Sequence, residues 1–193
     1  MSDEHLVWKK TDEKPFKGAF KTYLTRTFEL PNGTVADFDV TSLKSGKFVG
    51  CLALTDAMEV IISKEFRPGP EIVTYDAPLG IVDPGEDPND AVRRELREET
   101  GHVAGKLIVL NPDGNAVGPY DAAMAYYYLA LECEQKYEQQ LDEHEPIEVA
   151  TMPLRDFVNQ KLRKGQVCHA DGAWLAIDYL LQNSMITLED IAL

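Results

Sequence analysis

The sequence is short of several things, and each shortage closes off a class of protein. It has 3 cysteines in 193 residues, Cys51, Cys133 and Cys168, odd in number, widely spaced and without a Cys-x-x-Cys pair. That usage argues against a disulfide framework and reads as reduced thiols in a cytosolic protein. No apolar run is long enough to span a bilayer, and the polar N-terminus with its scattered charge has no signal-peptide pattern. Basic residues are scarce: 19 Lys and Arg stand against 33 Asp and Glu, a formal net charge of −14. Such a balance argues against nucleic acid or an anionic membrane as partner. There is no internal repeat and no low-complexity segment. What remains is an apolar content of 44%, enough for the core of one ordinary domain with a small N-terminal extension.

The informative stretch is residues 80–101, Gly-Ile-Val-Asp-Pro-Gly-Glu-Asp-Pro-Asn-Asp-Ala-Val-Arg-Arg-Glu-Leu-Arg-Glu-Glu-Thr-Gly. Asp87 is a good N-cap, Pro88 stands at the first helical position and Asp90 at the third. Gly101 is a natural left-handed residue after the last turn. These signals predict a helix over Pro88 to Thr100. At about 100° per residue, Val92, Leu96 and Thr100 share one stripe, and Glu95, Glu98 and Glu99 cover a neighbouring arc. Arg93, Arg94 and Arg97 lie further round. Like charges three and four residues apart cost a helix roughly 0.2–0.5 kcal/mol per pair. Glu99 also flanks the apolar stripe, where a carboxylate needs a partner. A hard divalent cation, held by carboxylates and substrate phosphates, would meet both needs. The plain alternative is a solvated charged helix with Arg94 and Glu98 as an i,i+4 pair.

Elsewhere the pattern is mostly of strands. Residues 22–30 are rich in β-formers, Pro31-Asn32-Gly33 is a turn signal, and residues 35–40 alternate, which predicts a hairpin in a small antiparallel sheet. Further strands are expected over residues 48–54, 58–66, 106–110, 123–132 and 147–152. Two helices close the chain, over residues 153–164, stopped by Gly165, and 171–182, with Trp174, Leu175, Ile177 and Leu181 toward the core. Strands flanked by helices fit an α/β sandwich.

The spacing Gly80, five residues, Glu86, seven residues, Arg94-Glu95-Leu96, one residue, Glu98-Glu99, one residue, Gly101 resembles the Nudix box. Every fixed position is met. The final apolar position departs, with His102 there and Val103 next. Weaker matches resemble the ADP-ribose pyrophosphatase branch of that family: Glu65-Phe66-Arg67-Pro68-Gly69 before the box, Ala77-Pro78-Leu79-Gly80 leading into it, Gly118-Pro119-Tyr120-Asp121, and the acidic run 141–149.

The resemblance implies a fold and a function. The fold is a Nudix-type α/β/α sandwich with a mixed sheet, over residues 46–193. A small antiparallel β-subdomain precedes it over residues 1–45 and is exchanged across a homodimer to complete the adenine and phosphate pocket. The implied activity is Mg²⁺-dependent hydrolysis of a nucleoside diphosphate linked to a second group, with Mn²⁺ as a substitute ion and ADP-ribose as the expected substrate. Another nucleotide sugar is the alternative, and a sensor that binds a nucleotide without turnover is an alternative of a different class.

Roles carry over by position. Glu95, Glu99 and the Leu79 carbonyl match metal ligands, and Glu98 matches a supporting ligand or a base. Glu143 and Glu145 match acidic-loop positions, one a base and the other a further ligand, in either order. Glu86 and Arg94 match residues that orient the ligating carboxylates. Arg67, Arg26, Phe28 and Pro119 are the substrate-binding candidates. For Arg67 a phosphate contact and an ion pair with a nearby carboxylate are both open.

Overall fold

The computed structural model describes residues 9–17, 22–43, 45–141 and 146–192. Strands β1 (Lys9–Lys17), β2 (Thr22–Glu29) and β3 (Val35–Ser42) form an antiparallel sheet in that order. The expected hairpin is β2–β3, paired from Thr22↔Ser42 to Glu29↔Val35. Its turn is closed by Gly33 N donating to Leu30 O at 2.9 Å, with Gly33 at φ 81°. A side chain at that φ would be strained, which is why the turn carries glycine.

Two further sheets build the main body. The central one runs β7 (Leu79–Ile81), β4 (Lys47–Ala53), β10 (Met124–Gln135), β8 (His102–Val109), with the short β9 (Asn115–Ala116) also on β10. It is mixed, since β4 and β10 are parallel and the other pairs antiparallel. The second is antiparallel, β11 (Glu148–Pro153), β5 (Glu59–Arg67), β6 (Ile72–Asp76).

Helices cover both sides. Val49, Cys51 and Ala53 of β4 pack with Tyr128 and Ala130 of β10 against Ala91, Val92 and Leu96 of α1 (Pro88–Thr100). The alternate residues Leu52 and Leu54, with Leu129 and Leu131, pack against α3 (Ala170–Gln182). Strands buried on both faces read as continuous apolar runs. The architecture is therefore an α/β sandwich with a mixed sheet and a separate N-terminal antiparallel sheet. No helix among the described residues is long and apolar enough to cross a membrane. The three cysteines are free, Cys51 and Cys133 buried and Cys168 half-buried.

The structure departs from the sequence expectations in places. The stretch 153–164 is not one α-helix: a single α turn, α2 (Leu154–Asp156), passes into a π turn, Phe157–Lys161, and a 3₁₀ turn, Leu162–Lys164. Gly165, at φ 70°, does end it. On α3 the buried face is Gly172, Ala173, Ala176, Ile177 and Leu180, whereas Trp174 is exposed and Leu175 and Leu181 are half-buried. Of the four residues expected toward the core, Ile177 is buried, Leu175 and Leu181 pack against core clusters, and Trp174 points outward. Gly172 faces inward without a side chain because Tyr127 fills the space: a Cβ there would overlap its ring. β1, β6, β7 and β9 had no clear signal in the sequence.

Candidate active site

Helix α1 forms as its local signals dictate. Asp87 accepts from Asn89 N at 2.8 Å, Pro88 opens the first turn, and Gly101 closes the last at φ 74°. With Val92, Leu96 and Thr100 buried against the central sheet, the acidic arc is fixed beside β5 and β7.

That arc borders a cavity of ≈ 410 Å³, lined among others by Glu65, Arg67, Leu79, Asp83, Arg94, Glu95, Glu98 and Glu99. Glu99 is 8% exposed and accepts from the buried Ser63 hydroxyl of β5 at 3.0 Å. It is the carboxylate that the helical wheel set against the apolar stripe, and Ser63 is a partner that sequence reasoning missed. Glu95 lies directly over Gly80 of β7, where a Cβ would overlap its carboxyl group.

Arg94 holds the acids in place. Its Nη1 donates to Glu95 Oε1 at 2.7 Å and to Glu98 Oε2 at 3.2 Å. Its Nε and Nη2 fork onto Glu86 at 3.0 and 2.9 Å, and Nη2 also donates to Ile81 O at 3.1 Å. Glu86 in turn accepts from Asp83 N at 2.9 Å. The bond to Glu86, with support from Glu95 and Glu98, holds the Arg94 pKa above its ordinary value, and Arg94 holds the Glu86 carboxyl below its own.

Of the two possibilities for Arg67, the structure shows the ion pair. Its Nε and Nη2 donate to Asp76 Oδ2 at 3.1 and 2.9 Å, and its Nη1 pairs with Glu65 at 2.7 Å. It nevertheless lines the acidic cavity. Burial works against its charge, but the Asp76 and Glu65 carboxylates beside it favour the charged form, and the guanidinium pKa is raised. Asp76 is fully buried and also accepts from Thr74 Oγ1 at 2.8 Å and Cys168 N at 2.6 Å.

The other substrate candidates meet elsewhere. Arg26, Phe28 and Pro119 line a separate cavity of ≈ 250 Å³ with Phe38, Val40, Tyr120 and Asp121. The rings of Phe38 and Tyr120 are nearly parallel, with centroids 6.4 Å apart and planes 17° from each other. Phe28 meets Phe38 edge-on at 6.0 Å. Arg26 Nε donates to Glu13 Oε2 at 2.5 Å. The 118–121 loop is held to β3 by Thr41, whose N donates to Tyr120 O at 2.9 Å and whose hydroxyl donates to Asp121 at 2.8 Å. Sequence reasoning missed Phe38, although its place in the β3 alternation puts it beside Val40 on one face. Glu143 and Glu145 lie outside the described residues.

The donors around the acidic cavity suit a hard divalent cation. Glu95, Glu98, Glu99 and Leu79 line one space and offer oxygen alone. Among the described residues no three acidic, histidine or cysteine side chains already converge on one point. Glu95 and Glu98 are turned onto Arg94, and Glu99 onto Ser63.

Comparison with known proteins agrees with this geometry. The NUDIX domain family matches residues 45–170. An ADP-ribose pyrophosphatase of Bacillus subtilis (strain 168) is 32% identical over 169 residues, 87% of this chain and 89% of that protein. An ADP-ribose pyrophosphatase of Saccharomyces cerevisiae is 32% identical over 154 residues, 72% of this chain and 66% of that protein. A crystal structure described as an ADP compounds hydrolase superposes with a TM-score of 0.77 over 93% of this chain and 97% of its own, at 20% identity, so the two share a fold. With the family matched over most of the chain and the glutamate helix in place, the chain belongs to the Nudix family and is a Nudix hydrolase.

Proposed function

We propose that this hydrolase cleaves the diphosphate of ADP-ribose to AMP and ribose 5-phosphate, with Mg²⁺ as its cofactor and Mn²⁺ as a substitute. The observation that carries the reading is the shared cavity: Glu95, Glu98, Glu99, the Leu79 residue and Arg67 all line it. The names of the two 32% identical relatives support ADP-ribose as the substrate.

Water adds to one phosphorus, the bridging oxygen leaves with the other phosphate, and the proton lost by water ends on that product or in solvent. Glu95, Glu99 and the Leu79 carbonyl would hold the ion, with Glu98 in support. The bound ion would offset the negative charge that builds on the phosphoryl oxygens. Arg94 and Glu86 keep the carboxylates aimed. Arg67 is braced by Asp76 and Glu65 and offers the N–H groups left over by those pairs to a phosphate. Glu143 or Glu145 serves as the base that takes the water proton.

The aromatic cavity around Phe28 and Pro119 takes the base, with Arg26 beside it. The chain acts in the cytoplasm as a homodimer, and the β1–β3 sheet of one protomer completes the pocket of the other.

A substrate panel with Mg²⁺ tests the reading. ADP-ribose, other nucleotide sugars, dinucleotides and nucleoside triphosphates are compared by phosphate released after phosphatase treatment. ADP-ribose is expected to lead. Preference for a triphosphate removes the substrate assignment, and tight binding without turnover removes the enzymatic one. Glu99→Gln keeps the Ser63 contact and is expected to lose on the order of 10²–10³-fold in turnover while remaining folded.

A further inference from the structure

The last four carbonyls of a helix have no partner within it. In α1 those carbonyls belong to the turn that carries Glu98 and Glu99, and two of the four find their partners across the fold. Gly101 N donates to Arg97 O at 2.8 Å, and His102 Nδ1 lies 2.9 Å from Thr100 O. The segment after β10 supplies the rest. Gln140 N donates to Glu98 O at 2.8 Å, and Lys136 N and Tyr137 N both donate to Gly101 O at 3.0 Å. Glu99 O is reached by a side chain, with Gln139 Nε2 donating to it at 2.7 Å. The same nitrogen donates to Ile147 O, just before β11, at 3.3 Å. Gly101 leaves the passage for this segment, since a Cβ there would overlap the Tyr137 carbonyl.

We propose that Gln139 is a positioning residue for the hydrolysis. Its amide ties the Glu99 carbonyl to the Ile147 carbonyl, and so fixes the last turn of α1 against the facing rim of the acidic cavity, which Ile147 lines. The inference rests on the proposed roles of Glu98 and Glu99. Both of the amide's hydrogens are used, and each goes to a different element. Removing them frees the turn just where two functional carboxylates follow one another, and a misplacement of about 1 Å can cost on the order of 10²-fold in rate. Gln139 is itself exposed, so its truncation leaves the core intact.

Three variants test this with ADP-ribose and Mg²⁺, together with calorimetry of Mn²⁺ binding to the substrate-free protein. Gln139→Ala removes the donors, and Gln139→Glu replaces them with an acceptor facing two carbonyls. Each is expected to lower kcat about tenfold with KM little changed, and to weaken Mn²⁺ binding about tenfold. Melting temperature should stay within a few degrees of wild type. Gln139→Lys keeps a donor and places a cation at the helix C-terminus, so it should retain most of kcat. Wild-type turnover by Gln139→Glu overturns the proposal, as does equal loss by all three variants with a common fall in melting temperature. Glu99→Gln is measured alongside. Full activity in that variant would mean that the ligand roles are wrong, whereas loss there with no loss in Gln139→Ala or Gln139→Glu would reject the Gln139 inference alone.

Discussion

Gly80 lies against the carboxyl group of Glu95 so closely that a methyl group in place of its hydrogen would overlap the carboxyl carbon and both oxygens. The glycine is not in the left-handed region, so its need here is space alone. Gly80→Ala therefore should not strain the backbone. The Glu95 side chain is flexible and would give way, and the protein should fold. Turnover is expected to fall about 10- to 100-fold, with half-maximal activity moved to higher Mg²⁺. Steady-state rates across a Mg²⁺ titration, beside a thermal melt, check this. Wild-type metal dependence in the variant would mean that the Glu95 position is unimportant.

Arg94 is bonded to three carboxylates at once, Glu86, Glu95 and Glu98. Arg94→Ala leaves those acids facing one another. The pairs are partly solvated, so in the presence of a chelator the expected loss is about 1–2 kcal/mol of stability. Added Mg²⁺ should restore part of it, because a bound cation then replaces the lost one. Melting curves with EDTA and with Mg²⁺ should differ more for the variant than for wild type.

Phe38 and Tyr120 hold nearly parallel rings, 6.4 Å between centroids, on the wall of the aromatic cavity, and Tyr120 is exposed. Stacking on an aromatic side chain is worth about 1–3 kcal/mol per base. Tyr120→Ala is accordingly expected to raise KM for ADP-ribose about tenfold or more and to change kcat little. A loss in kcat with unchanged KM would place the base elsewhere.

His102 fills the position where the motif resemblance calls for an apolar residue, and the fold treats it as one. It is 7% exposed, and burial lowers its pKa below the ordinary 6.5. The neutral ring is favoured in the folded state, so its contribution is complete above about pH 6.5 and is lost as the pH falls through the lower folded value. His102→Val should resemble wild type within about 1 kcal/mol at pH 8, given the lost bond to Thr100, and should gain on it as the solution is acidified toward pH 5. Denaturant melts at the two pH values measure the crossover. Parallel stability curves would rule it out.

Much of this protein was legible before folding was considered. Asp87, Pro88 and Gly101 bound α1 as their local chemistry requires, and the wheel put Glu99 beside the buried stripe. The Pro31-Asn32-Gly33 turn likewise set the β2–β3 register. On α3 the sequence pointed rightly to Ile177, but bulk suggested Trp174, which is exposed, while Tyr127 on a distant strand demanded a glycine at position 172. The substrate-binding candidates named from the sequence do not share one cavity. Arg67 lines the acidic cavity, and Arg26, Phe28 and Pro119 line the aromatic one.

The sequence by itself determined the glutamate helix and the class of chemistry that its spacing supports. A helix repeats at fixed angle and rise, so residues three and four apart meet whatever surrounds them. Tertiary structure decided the partners: Ser63 on Glu99, Asp76 behind Arg67, and Gln139 across the end of α1. Each of these pairs joins different elements through sheet register and packing, and no local spacing encodes such a meeting.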